Sequence, residues 1–292
     1  MENNSLQKTI LVTGANGQLG REFQELANSY ANYFFLFVTK EELSIEDENA
    51  VNNFFKNNPI DICINCAAYT AVDKAETEQE TAISVNSTAV GMLAKACKIH
   101  HSKFIHISTD YVFDGKGTNP YKENDVTNPV NFYGQTKLDG EQNAIKENPE
   151  TIIIRTAWVY SSFGNNFVKT MIRLMKERGS LEVVSDQYGC PTYAADLALT
   201  IMRIIETNIF TPGIYHYSNK GKISWYDFAK EISTQINSSC VVNAITTSQF
   251  PTPAARPSYS VLDTSKIAQT FKLDIPEWKV SLQECLTLLQ SK

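Results

Sequence analysis

Two tyrosines in this chain stand four residues before a lysine: Tyr133 before Lys137, and Tyr226 before Lys230. With thirteen tyrosines and twenty lysines, that spacing is expected about once by chance, so position has to decide between the two pairs. Tyr226 follows Ser224-Trp225 with no polar strand end before it, and the pair reads as a surface helical pair. Tyr133 opens a helix that follows the apolar strand 104–108. The carboxyl end of that strand carries Ser108, Thr109 and Asp110, where open parallel sheets bind ligands. At i and i+4 of a helix a phenol and an ammonium share a face, and the cation is expected to favour phenolate over its unperturbed pKa of about 10. Tyr133 would then be a usable proton donor at neutral pH. In a carbonyl reduction a nicotinamide gives hydride to carbon, an acid protonates oxygen, and a hydroxyl such as Thr109 holds the carbonyl in line. Thr109, Tyr133 and Lys137 suffice for that chemistry without a metal.

The second segment able to do chemistry is Thr13-Gly14-Ala15-Asn16-Gly17-Gln18-Leu19-Gly20, set between an apolar strand at 8–13 and a helix at 17–28. Gly14 permits a tight turn, Gly17 lets the backbone approach a pyrophosphate at the helix N-terminus, and Gly20 allows close helix–strand packing. A carboxylate that holds the ribose 2′-hydroxyl of NAD usually ends the second strand, about 20 residues further on. Here that end reads Val38-Thr39-Lys40-Glu41, a hydroxyl and an ammonium suited to a 2′-phosphate. NADPH is therefore expected in preference to NADH, with Glu41 leaving NADH possible.

The elements that must position these residues alternate. Strands are expected at 33–38, 60–65, 104–108 and 151–155, with 181–184 continuing the series. Helices are expected at 46–56, 78–99, 131–147 and 166–178 between them. Such alternation predicts a parallel sheet covered on both faces, a doubly wound α/β (Rossmann) fold. After about 186 the rhythm loosens, with short strands near 214–217 and 239–245, helices near 193–206, 224–236 and 279–290, and prolines at 251, 253 and 257. We expect a dinucleotide-binding domain over 1–160 and 186–217 and a smaller α/β substrate-binding lobe over 161–185 and 218–292.

The chain has 292 residues, 42% of them hydrophobic, enough to bury one large core or two modest ones. A net charge of −6 and a pI near 5.4 leave no basic surplus for a nucleic-acid partner. No apolar run approaches the roughly 18–20 residues of a membrane span, and the opening 1–7 is polar without a signal-peptide core, so a cytoplasmic location is expected. The six cysteines are scattered. Cys63 and Cys66 have metal-ligand spacing, but they lie in the apolar run 60–66 without a second Cys or His pair, and read as core thiols.

With these residues in view, the sequence resembles the extended short-chain dehydrogenase/reductase family, and within it the branch that reduces dTDP-linked ketosugars. The resemblance covers nearly the whole chain. It is carried by the glycine turn, by N-C-A-A-Y-T-A-V-D-K-A-E from Asn65, S-T-D-Y-V-F-D-G from Ser108 and Y-G-Q-T-K from Tyr133, and further on by R-T-A-W-V-Y from Arg155, G-N-N-F-V-K-T-M from Gly164, D-Q-Y-G-C-P-T from Asp186 and T-P-A-A-R-P from Thr252. It implies reduction of the 4-keto group of dTDP-4-dehydro-L-rhamnose to dTDP-L-rhamnose, a step toward cell-surface polysaccharide, with Thr109, Tyr133 and Lys137 as the catalytic set. Gly17, Gln18 and Leu19 would meet the pyrophosphate, Ala68, Tyr69 and Thr70 would line the cofactor's path, and Lys137 would also hold the nicotinamide ribose. On the sugar side it points to Thr109, Asp110, Tyr133 and Trp158, with Val72 and Lys74 close by and Arg256 for the diphosphate. Magnesium accompanies some of these reductases. Glu22 stands where a ligand could, but Ala194-Ala195-Asp196 offers no carboxylate at the matching downstream position, so no metal site is assigned. A homodimer is expected as the commonest closed assembly.

Two other readings share these features. A nucleotide-sugar dehydratase or epimerase of the same family would keep the cofactor turn and Tyr133–Lys137, but Thr109-Asp110 is followed by Tyr111, not by the second carboxylate that drives elimination. A non-catalytic regulatory subunit resembling the β-subunit of methionine adenosyltransferase would keep the fold.

Overall fold

The computed structural model describes residues 7–207 and 209–291; the polar opening 1–6, residue 208 and residue 292 lie outside the described residues. Five strands in chain order, β1 (Lys8–Thr13), β2 (Tyr33–Val38), β3 (Ile62–Asn65), β4 (Lys103–Thr109) and β5 (Ile152–Thr156), join Gly213–Tyr217 in one sheet. Every pairing in it is parallel. The order is Gly213–Tyr217, β5, β4, β3, β1, β2, so the chain reverses direction across the sheet between β1 and β3. In a doubly wound sheet that reversal opens a crevice beyond the carboxyl ends of the strands.

Alternation along the strands explains why both faces are covered. Ile10, Val12, Ile62, Ile64 and Ile105 pack with Phe23 and with Leu197 and Ile201 of the helix Ala194–Glu206. Their neighbours Leu11, Cys63 and Phe104 turn to the opposite face, against Val90, Leu93 and Cys97 of the helix Ala89–Ile99. A period of two with both sets apolar is what a sheet buried on two sides requires. All six cysteines are free thiols, five of them buried.

Two expectations need correction. The strand Ser180–Val184 does not continue the main sheet but pairs in parallel with Val241–Ile245, because Gly213–Tyr217 occupies the place beside β5. With the helices Phe167–Glu177, Trp225–Gln235 and Trp278–Gln290 it encloses a separate core around Val168, Phe228 and Leu282. The helix read as 78–99 is interrupted: Gln79–Ile83 and Ala89–Ile99 flank a π-helical turn, Ser84–Thr88. That turn brings the Asn86 carbonyl against Gly140 of the helix Phe132–Glu147, where any side chain would collide with it. Among the described residues no helix is long and apolar enough to cross a membrane.

Candidate active site

The carboxyl ends of the strands open into two clefts. The first, of about 400 Å³, is lined by Gly14, Asn16, Gly17, Thr39, Lys40 and Glu41, and on its other wall by Cys66, Ala67, Ala68 and Tyr69. Gly14 sits at φ +67°, and a Cβ there would come within 2.7 Å of the Ala67 backbone nitrogen, so only glycine lets the turn lie this close to the β3 end. Gly17 precedes the helix Gln18–Ala27 without a side-chain cap, which leaves its first backbone N–H groups to face an anion. Gly20 packs on the Gly14 carbonyl. These features fit a dinucleotide.

Not every residue of this segment faces the cleft. Leu19 is buried in the core, and the Gln18 carboxamide accepts from Asn166 at 2.9 Å. Thr39 and Lys40 stand at the cleft rim with partners of their own: the Thr39 hydroxyl bonds the Glu41 carboxylate, and Lys40 pairs with Glu46 at 2.8 Å. Tyr69 is pinned at the wall by Asn86, which accepts from its N–H at 2.9 Å and donates to its carbonyl at 3.0 Å. The π-helical turn thus shapes the cleft. Thr70 is exposed beyond it.

Thr109, Tyr133 and Lys137 come together at the end of β4. Asn131 caps the Tyr133 helix by accepting from Gly134 N–H at 2.8 Å, and donates to the Ala255 carbonyl at 2.8 Å, which ties the helix start to the segment that carries Arg256. Tyr133 is half-buried, and the Thr109 hydroxyl is within hydrogen-bond reach of its phenol. Burial pushes the Tyr133 phenol above its ordinary range; the Thr109 hydrogen bond opposes that shift and the neighbouring Asp110 adds to it. This corrects the expectation of a phenolate-favouring lysine. Lys137 is itself buried and donates to the Ile107 carbonyl at 2.7 Å, and burial pushes its ammonium down to about 8, against the pull of Glu141 and Cys66. Asp110 is pushed up to about 6 by burial, with the Ser260 and Thr109 hydroxyls opposing. Burial likewise pushes the Cys66 thiol up.

Beneath this group Glu141 and Arg155 form a buried two-pronged ion pair, Nε to Oε1 at 2.9 Å and Nη2 to Oε2 at 2.7 Å, and Ser108 donates to the same carboxylate. Paired and hydrogen-bonded, these charges fix the Tyr133 helix against β4 and β5.

The second cleft, of about 290 Å³, is lined by Asp73, Tyr111, Phe167, Gln187, Trp225, Phe250 and Arg256, among others. Tyr111 meets the Tyr133 ring edge-on at 5.6 Å, so the second cleft abuts the group formed by Thr109, Tyr133 and Lys137. Trp158, at φ +50°, stacks on Trp225 with ring centres 3.5 Å apart, which makes it a wall of the small lobe as well as a candidate sugar contact. Arg256 Nη2 pairs with Asp73 at 3.0 Å, while its buried Nη1 has no hydrogen-bond partner. Asp73, not its neighbours Val72 and Lys74, faces this cleft, and Lys74 is exposed. Asp73, Gln187 and Trp225 were not singled out from sequence; Asp73 and Gln187 lay inside the quoted motifs, whereas nothing in the pattern around Trp225 distinguishes it from a core residue.

Glu22 accepts from Ser161, and Asp196 accepts from Asn219 and Ser281. Both carboxylates thus have protein partners, and among the described residues no three Asp, Glu, His or Cys side chains gather in a metal-ligating group. Lys230 is exposed and Tyr226 half-buried, on the helix capped by Ser224.

Residues 8–291 match the family described as the RmlD substrate binding domain. The chain is 42% identical to a dTDP-4-dehydrorhamnose reductase of Aggregatibacter actinomycetemcomitans over 284 residues, 94% of this chain and 97% of that one. A crystal structure of a dTDP-4-dehydrorhamnose reductase from Clostridium acetobutylicum superposes with a TM-score of 0.93 at 44% identity, covering 97% of this chain and 99% of that one. One from Bacillus anthracis, in complex with NADP, also gives 0.93, at 39% identity over 97% of this chain and all of that one.

Proposed function

The chain belongs to the dTDP-4-dehydrorhamnose reductase family, and from that premise we propose that it reduces the 4-keto group of dTDP-4-dehydro-L-rhamnose with hydride from NADPH, Tyr133 being the proton donor. The observation that carries this reading is the position of Tyr133, beside Thr109 and edge-on to Tyr111, between a dinucleotide cleft and a second cleft that holds an arginine.

NADPH supplies hydride when bound. Gly14, Gly17 and the open N-terminus of Gln18–Ala27 take the pyrophosphate, Ala68 and Tyr69 line the path to the nicotinamide, and Lys137 reaches its ribose. Thr39 and Lys40 receive the 2′-phosphate, which competes with Glu41 and Glu46 for them; this is the basis for preferring NADPH to NADH. Thr109 orients the ketone oxygen and Tyr133 passes its proton to it. A phenol held above its ordinary range is fully protonated at neutral pH, so Tyr133 enters the reaction carrying the proton it gives to the ketone oxygen. Arg256 offers its unpartnered Nη1 to the diphosphate, Trp158 and Asp110 flank the sugar, and the lobe built around Val168, Phe228 and Leu282 closes the substrate side. Two copies of the chain associate as a dimer.

Tyr133→Phe tests the assignment. The variant is expected to fold and bind NADPH, and to lose reduction of dTDP-4-dehydro-L-rhamnose by about 10²–10⁴-fold. Turnover like that of the wild type would remove Tyr133 from the mechanism, and absence of ketosugar-dependent NADPH oxidation by the wild type would contradict the reading itself.

A further inference from the structure

Thr13 and Asn65 end β1 and β3, His106 stands beside Asn65 in the middle of β4, and none of the three is more than 1% exposed. Their side chains bond in series across the sheet. Thr13 Oγ1 donates to Asn65 Oδ1 at 2.6 Å, Asn65 Nδ2 donates to His106 Nδ1 at 3.1 Å, and His106 Nε2 lies 3.4 Å from Lys137 Nζ.

The direction of this chain is fixed where it begins. Asn65 Oδ1 also accepts the backbone N–H of Ala67 at 3.2 Å, an N–H that reaches Thr13 Oγ1 as well at 3.4 Å, and with its oxygen held by that N–H and the Thr13 hydroxyl Asn65 turns its NH₂ toward His106. His106 Nδ1 then has to accept. The proton of a neutral imidazole is left on Nε2, facing the lysine. Lys137 meanwhile donates to the Ile107 carbonyl. A neutral amine satisfies every partner, giving one hydrogen to Ile107 and its lone pair to His106. An ammonium has no lone pair and would set two donors against each other.

We propose that His106 is a positioning residue of this site, presenting Nε2–H to the Lys137 amine whenever that lysine is neutral in the cofactor-free enzyme, its tautomer dictated from the glycine-turn strand through Asn65. The proposal rests on the reading of Tyr133 and Lys137 given above and deepens it. Burial, with the lysine beside it, holds the imidazole well below its ordinary range, in the neutral form the chain needs. Other groups act on Lys137 from the elements around it: Glu141 on its own helix and Cys66 beyond β3 both favour the ammonium, against burial and His106. For Lys137 to take up a proton and keep its contact with His106, the imidazole must move its own proton to Nδ1. Asn65 must then flip its amide, which leaves the Ala67 N–H only its longer contact with Thr13. Ala67 lines the dinucleotide cleft, so the charge on the lysine and the wall of that cleft are linked.

The test uses the full chain without cofactor or substrate, labelled with ¹⁵N in its four histidines and ¹³C in its lysines. His106, assigned by the signals lost in His106→Gln, is expected to show a bare Nδ1 and a protonated Nε2 at about pH 10, where Lys137 is mainly neutral, and to shift its proton toward Nδ1 as Lys137 takes up its own at about 8. Asn65→Asp, whose carboxylate can only accept, is expected to move the proton to Nδ1 and to raise the titration of Lys137, read at its Cε, by about one pH unit. A wild-type His106 still protonated on Nδ1 at about pH 10 overturns the proposal whether or not the variant folds. So does an inverted tautomer in Asn65→Asp with no movement of Lys137. Neither readout needs turnover, so failure of the reductase reading and failure of this one are separately visible.

Discussion

The two clefts are built by different means. The dinucleotide cleft is made largely of backbone: a turn of three glycines, an uncapped helix N-terminus and the ends of β1, β2 and β3, most of it within a few short segments. The second cleft is made of side chains, Asp73, Tyr111, Gln187, Trp225, Phe250 and Arg256, which come from loops and helices nearly two hundred residues apart. A backbone cradle has little tolerance, because its groups move only if the chain moves. A side-chain wall can lose one contact and keep the rest.

The sharpest break between the two regions is expected from Gly14→Ala. A side chain forced into the left-handed region and against Ala67 should weaken NADPH binding about 100-fold and leave dTDP-sugar binding unchanged, as separate titrations would show. Gly17→Ala, whose added carbon would lie 3.2 Å from the Gly14 carbonyl, should cost only about threefold. On the substrate side Arg256→Lys keeps the charge and loses the planar fork; KM for the ketosugar should rise about tenfold with the Kd for NADPH unmoved. Lys40→Ala should lower the preference for NADPH over NADH by about fivefold, seen in the ratio of kcat/KM values.

A smaller, pH-dependent effect separates the catalytic floor from both clefts. The folded protein holds Lys137 near 8, below its unfolded value of 10.5, so the unfolded chain binds more protons between those limits. The penalty for burying the ammonium is complete below pH 8 and is relieved as pH rises toward 10.5. Denaturant midpoints of the wild type relative to Lys137→Met should therefore rise across that window, and a flat difference would show that Lys137 keeps an ordinary pKa.

The same contrast accounts for what could be read from the sequence. The alternating strands and helices and the glycine turn are local patterns, and the structure places them within a few residues of the expected bounds. Tyr133 and Lys137 were legible because a helical spacing followed a polar strand end. The strand 181–184 was misplaced because an apolar run does not say which sheet it will join, and Gly213–Tyr217 took the position beside β5. Trp225 was hidden because a tryptophan on an amphipathic helix has no local sign that it faces a cleft instead of a core. The altered phenol of Tyr133 was missed for a related reason. Spacing places a lysine on the same face, but only the fold shows that its ammonium turns to Ile107 and His106 and loses its charge readily.

The central claim is that the two clefts meet at Tyr133 so that hydride passes from a nicotinamide in one to a ketone carbon in the other. The most direct measurement is a single turnover of the wild type with NADPH deuterated at the transferring position of C4 and dTDP-4-dehydro-L-rhamnose, with the label located in the product by NMR. The account predicts one deuterium on C4 of the sugar. A consumed ketosugar without label at C4, or an unchanged one, would contradict it.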